Sequence, residues 1–188
     1  MKNNLLIVGA GGHGRCCLDI ARETSKYDRI CFLDDNLIGS MVNEAEVVDV
    51  IANLDKYKGV FSEIFVAIGN NRFRKEIQKQ ALEAGFEIAT LVSTRSYVSQ
   101  YSNIGKGCVI FPYAVIEANA VVRDGCIIAS NATVNHDAII NEFSLIYSNT
   151  VIRPNVVIGE CSRIGSGCVV CFGTTIESGS DVIDGTII

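Results

Sequence analysis

From Val98 onward the sequence repeats one six-residue unit without insertion: VSQYSN, IGKGCV, IFPYAV, IEANAV, VRDGCI and so on, closing on Ile188. All sixteen leading positions from 98 to 188 are Ile or Val, and the fifth position of each full hexad is Ser, Cys, Ala, Thr or, once, Val. A strict internal period constrains a fold more than any composition does, because it dictates how the chain stacks. A β-branched residue at every sixth place suits short extended segments with one face turned inward. A small residue two places earlier fits where the chain bends and interior space narrows. Three hexads then form one triangular coil, and coils stack at the ~4.8 Å spacing of neighbouring strands. Residues 18 apart make interior stacks, such as Val98, Ile116, Val134, Ile152 and Val170. A β-sandwich would need turns of variable length every ~8–12 residues, and this half has none.

The first half has a different grammar. Residues 4–8, NLLIV, run into GAGGHG, where Gly9, Gly11 and Gly14 hold the GxGxxG spacing. A helix-compatible RCCLDIARETSK follows, then ICFLDDN as a second strand. EIFVAIGNN reads as a strand and loop, RFRKEIQKQALEAGF as a helix and EIATLV as a last strand. This order predicts an α/β, Rossmann-like unit over residues 1–92, built on a parallel sheet, ahead of an all-β parallel helix over 93–188. The glycine turn places backbone N–H groups and a helix N-terminus where phosphate oxygens can sit. Asp34 lies 20 residues beyond Gly14, as a ribose-binding acid would in an NAD site. A turn with glycines for packing alone is the other reading. The short βαβ unit, the histidine inside the loop and the doubled acid Asp34-Asp35 point away from NAD.

Composition narrows the function classes. Hydrophobic residues make up 48%, the net charge is -5, and no apolar run approaches a membrane span. An acidic chain lacks the clustered Lys and Arg of a nucleic-acid surface. The N-terminal apolar stretch is too short for a signal peptide, so the expected compartment is the cytoplasm. There the eight cysteines are expected as buried thiols. CVVC at 168–171 has no second CxxC, and the repeat sends Cys168 inward and Cys171 outward, so no metal is expected. Cys108 and Cys126 share the small position one coil apart. Their separation would allow a disulfide, but thiols filling a core corner are expected.

One of only two histidines, His136, lies in TVNHDA, third in the hexad that opens at Val134. Positions one and five point inward, so His136 and Asp137 face outward or occupy a corner. A neighbouring carboxylate would favour the imidazolium that forms when the ring takes a proton.

The glycine loop GAGGHG, FLDDN, VAIGNN followed by Arg, and a hexapeptide helix carrying His-Asp occur here in that order. Together they resemble the bacterial hexapeptide-repeat sugar N- and O-acetyltransferases, of the sialic acid O-acetyltransferase and UDP-4-amino-sugar N-acetyltransferase type. The resemblance implies a left-handed helix, acetyl-CoA as co-substrate and a homotrimer with CoA between neighbouring helices. In members acting on nucleotide sugars the first unit binds UDP. On that basis Gly11, Gly12 and His13 would approach the diphosphate and sugar, and Asp34 and Asp35 would hold the uracil and ribose end. Gly69 and Asn70 would complete the pocket through their backbone. His136 would be the general base, made more basic by Asp137, in direct transfer from acetyl-CoA to a sugar amine. Leu145 and Ser166 would contact CoA, and outward Phe111 and Tyr147 would serve the interface.

The chain also departs from the family pattern. Ala129 stands where members often carry Asn, Leu145 where many carry a CoA-contacting His, and IYSN at 146–149 replaces a small, Pro- or Gly-containing run. Ile188 opens a hexad where members continue into a final coil, so either an altered acyl site or a chain shortened at its end is expected. Sialic acid O-acetylation, or a catalytically silent sugar-nucleotide-binding subunit, are the competing readings.

Overall fold

The apolar run ahead of the glycine loop becomes strand β1 (Asn4–Val8), whose last four residues are all buried. This computed structural model describes residues 3–188, and the chain divides into two units between Leu91 and Val92. In the first unit β1 is followed by helix α1 (Gly12–Glu23), β2 (Arg29–Leu33), β3 (Met41–Val42) and β4 (Ala45–Asp49). A 3-10 helix (Ile51–Tyr57), β5 (Glu63–Val66), helix α2 (Asn71–Glu83) and β6 (Glu87–Ile88) complete it. The sheet order is β3-β4-β2-β1-β5-β6, with β1 between β2 and β5 in parallel register (Val8 opposite Leu33 and Val66). One face packs Leu6, Val8, Cys31, Leu33, Ile64 and Val66 against Leu54, Ile77 and Ala81.

Two expectations are corrected here. β3 and β4 form an antiparallel hairpin closed by Asn43 and Glu44, both with positive φ, so the sheet is not wholly parallel. The turn is hard to read because Glu stands where a Gly would announce it. EIATLV is not one strand: β6 ends at Ile88, and a separate two-residue strand, Leu91–Val92, straddles the boundary.

The second unit is a left-handed parallel β-helix whose every strand is two residues long, a hexad apart. Strands 18 residues apart pair in register, so Ile116 lies between Val98 and Val134, and Ile152 between Val134 and Val170. The leading Ile and Val side chains and the small fifth-position residues make one buried column.

The small position does more than fill corners. Cys108, Cys126 and Cys168 aim their thiols at the carbonyls of Arg123, Asn141 and Ile183, 3.0 to 3.1 Å away. Ser144, Thr150 and Ser162 do the same with hydroxyls toward Gly159, Gly165 and Glu177. Each donor meets a carbonyl 15 residues ahead, where a buried corner would otherwise leave it unsatisfied. Cys108 and Cys126 therefore act as thiols, with no disulfide between them.

A second rule governs the fourth position. From Gly107 to Gly185 every sixth residue has a left-handed backbone. Gly, Asn and Asp take most of these places because they tolerate that conformation best. Asp137 is one of them, at φ 59°, and Tyr113 and Phe143 are the bulky exceptions.

Candidate active site

His136 sits on a corner of the β-helix, in the turn that follows Thr133–Val134. The left-handed turn at Asp137 brings the adjacent side chains together, and His136 Nδ1 donates to Asp137 Oδ2 at 2.7 Å. That bond puts the ring proton on Nδ1 and leaves Nε2 with its lone pair exposed. The His136 side chain is 54% exposed, so packing does not explain its presence. The bond from His136, and then one from Asn119, hold the Asp137 carboxyl below its ordinary range.

The coil beneath supplies two supports that the sequence reading overlooked. Asn119 Nδ2 donates to Asp137 Oδ1 at 3.2 Å, so both oxygens of that carboxylate are engaged. Glu117 Oε2 accepts the backbone N–H of His136 at 2.9 Å. With Tyr97, Ser99, Val115 and Ala118, these residues line an open groove of about 560 Å³ around the imidazole. The signal was present in the period, because one coil below 135 and 137 lie 117 and 119.

The first unit gathers the remaining candidates around its glycine loop. Gly9 has φ +96°, and a Cβ on Gly14 would collide with the Gly9 carbonyl oxygen. The loop thus needs both glycines to seat α1 against the end of β1. Gly11 caps α1 with no side chain of its own, and nothing would crowd an atom placed above Gly11. Asp34 already holds the loop: its carboxylate accepts the N–H of Ala10 and that of Asn36, each at 2.9 Å. Asp35 accepts from Ile51 N–H at 2.9 Å. Asn70 caps α2 by accepting Phe73 N–H, and the Gly69 carbonyl accepts from the buried guanidinium of Arg74. Each of these polar residues has a structural partner and retains further hydrogen-bonding capacity.

His13 stands in the first turn of α1, within 3.7 Å of the Cys17 sulfur. Burial, with the charge of Arg74 adding to it, lowers its pKa to about 4. The imidazole is neutral near pH 7 and can offer a phosphate an N–H, not a cation.

The residues expected to meet CoA lie elsewhere on the coil. Leu145 is only 6% exposed and pairs between Ile127 and Arg163. Ser166 occupies the corner that follows that ladder, and its N–H donates to Asp184. His136 belongs to a different corner, so no single patch of the chain unites the three. Phe111 is half-buried, while Tyr147 is at the surface with the Arg163 guanidinium 5.5 Å from its ring centre. Among the described residues no His, Cys, Asp and Glu cluster could hold a metal, and no helix is long and apolar enough to cross a membrane.

Residues 4–81 match the PglD N-terminal domain model, and residues 101–136 and 137–172 match the bacterial transferase hexapeptide (six repeats) model. The chain is 36% identical to the acetyltransferase domain of PglB from Neisseria gonorrhoeae FA1090, covering 100% of this chain and 91% of that one, with a TM-score of 0.94. That domain has also been solved in complex with acetyl coenzyme A (35% identity, 100% and 96% covered, TM-score 0.91). PerB from Caulobacter crescentus, solved with CoA and GDP-perosamine, is 25% identical over 99% of this chain and 88% of that one, with a TM-score of 0.94. GDP-perosamine N-acetyltransferase of Escherichia coli O157:H7 is 31% identical over 118 residues, 60% of this chain and 53% of the relative. The match thus spans about half the length of that curated relative.

Proposed function

Because the chain belongs to the hexapeptide-repeat sugar acetyltransferases with a PglD-type N-terminal domain, we propose that it moves an acetyl group from acetyl-CoA to the amino group of a nucleotide-linked sugar. The observation that carries this reading is the Asn119–Asp137–His136 arrangement, which leaves Nε2 open on a surface groove. The amine nitrogen attacks the thioester carbonyl and Nε2 takes the amine's proton as the C–N bond forms. Asp137 stabilises the resulting imidazolium, which returns the proton to the sulfur of the departing CoA thiolate as the tetrahedral intermediate collapses. Backbone N–H groups of the β-helix corners are the donors available to the developing oxyanion.

In the first unit, Gly11, Gly12 and neutral His13 receive the diphosphate at the α1 N-terminus. Asp34 and Asp35 use their remaining acceptor positions for the base and ribose, and Gly69 and Asn70 close the loop side. The nucleotide is UDP in this reading. GDP is the second reading, favoured by the names of two relatives. Ser166 approaches CoA from a neighbouring copy in a homotrimer, with Phe111 and Tyr147 at the contact, while the burial of Leu145 leaves that side chain little surface to offer CoA. Eight cysteines without a disulfide suit the cytoplasm.

The test is thiol release from acetyl-CoA in the presence of UDP- and GDP-linked 4-amino sugars. Turnover is expected with the amino sugar and not with its hydroxyl counterpart. Tight nucleotide-sugar binding with no thiol release from any of them would overturn the transferase reading.

A further inference from the structure

We propose that Glu117 selects the acceptor, binding the protonated amine of an amino sugar and discouraging neutral or anionic hydroxyl acceptors. This inference rests on the transferase reading of the His136 site and says which acceptor class that site admits. Glu117 is fixed by the coil geometry. One carboxylate oxygen accepts the His136 N–H at 2.9 Å, which leaves the other oxygen and spare lone pairs on the same groove. The groove carries a second carboxylate, Asp137, whose two oxygens are already engaged by His136 and Asn119. Its other lining residues are Tyr97, Ser99, Val115, Ala118 and Asn119, and none of them is cationic.

The charge pattern decides between acceptors. A sugar amine titrates around pH ~8, as α-amino groups do, so it arrives largely as an ammonium at neutral pH. An ammonium beside Glu117 gains a charge-assisted hydrogen bond close to Nε2; it gives up one proton to solvent to become the neutral nucleophile, and Nε2 takes the next as the C–N bond forms. A hydroxyl gains only an ordinary hydrogen bond. A sialic acid brings its own carboxylate and meets like charges. Glu117 thus favours N-acetylation through binding, while His136 supplies the proton transfer common to both chemistries.

Glu117→Gln is the direct test, because a Gln carbonyl oxygen can still accept the His136 N–H. The variant is expected to raise KM for a UDP-4-amino sugar on the order of tenfold, while KM for acetyl-CoA stays unchanged and kcat falls far less. An unchanged KM for the amino sugar overturns the selection. Calorimetry needs no turnover and no variant. The wild type is expected to bind the 4-amino sugar about tenfold tighter than its 4-hydroxyl counterpart, and that preference should fade as pH rises through the amine's titration. Equal binding of the two also overturns it. The two levels separate cleanly. A protein that releases no CoA yet keeps the amine preference through Glu117 loses the transferase reading alone. One that turns over but is indifferent to Glu117→Gln loses the selection alone.

Discussion

The two units put their candidate residues on the backbone in opposite ways. In the β-helix the architecture is carried by a period, so each corner is built the same way and any one corner can depart from the pattern. His136 and Asp137 exploit that freedom, since the Asp occupies a place where the turn already wants Gly, Asn or Asp. The Rossmann-like unit has no repetition to lean on. There Asp34, Asp35 and Asn70 each accept a backbone N–H, and His13 is half-buried at the helix start. The candidate chemistry is separable from stability in the repeat and entangled with it in the Rossmann-like unit.

The largest expected effect tests the first half of that contrast. His136→Ala should cut kcat on the order of 10²- to 10⁴-fold, the usual contribution of a positioned general base. Its melting temperature should move by less than about 2 °C, because an exposed surface pair contributes little to folding. Full retained activity would remove His136 from the chemistry. A collapse in Tm would show that the corner is not independent of the fold.

The second half is sharpened at His13. Its folded pKa, about 4, lies below the ordinary 6.5, so the native state refuses a proton that the unfolded chain accepts. Stability is therefore full above pH 6.5 and declines as pH falls toward 4, with no further loss from this group below that. The loss over that window is on the order of 3 kcal/mol. His13→Gln should flatten that decline relative to wild type in denaturant titrations run from pH 7 to pH 4. Parallel curves would mean the imidazole is not held neutral by its surroundings.

How much was legible follows the same divide. The β-helix could be read because every coil restates its rule: Val98 and Ile116 alone mean little, but sixteen aliphatic leads leave one architecture. Glu117 and Asn119 were readable in principle, by stepping back 18 residues from the His-Asp turn, but the period marks only inward positions and says nothing of which outward side chains meet. In the first unit the strand before the glycine loop and both helices were legible from apolar periodicity. The β3–β4 hairpin was not, since Asn43-Glu44 lacks the usual turn chemistry. Nor was the duty of Asp34 toward Ala10, because it exists only once β2 lies beside β1. The burial of Leu145 was hidden too: its strand position points away from the central column, and the period alone predicts exposure there.

The smallest effect probes how much freedom a β-helix corner has. Tyr113 and Phe143 both sit at the left-handed fourth position, with φ 65° and 56°. A side chain other than Gly, Asn or Asp costs about 1–2 kcal/mol there. At Tyr113 little offsets that cost: the ring is 60% exposed, and the Arg95 guanidinium lies 5.9 Å from its centre, a contact worth about 0.5–1 kcal/mol when exposed. Tyr113→Asn should therefore stabilise the protein by about 0.5 kcal/mol, a rise in Tm of about 1–2 °C. Phe143 has the same backbone but is 8% exposed, its ring filling the space left by the missing side chain of Gly125. Burial of that ring outweighs the backbone cost, so Phe143→Asn should destabilise by about 1–2 kcal/mol. Opposite signs for one substitution at equivalent corners would show that packing, not turn geometry, decides which corners can depart from the rule. Equal signs would show that the turn geometry decides instead.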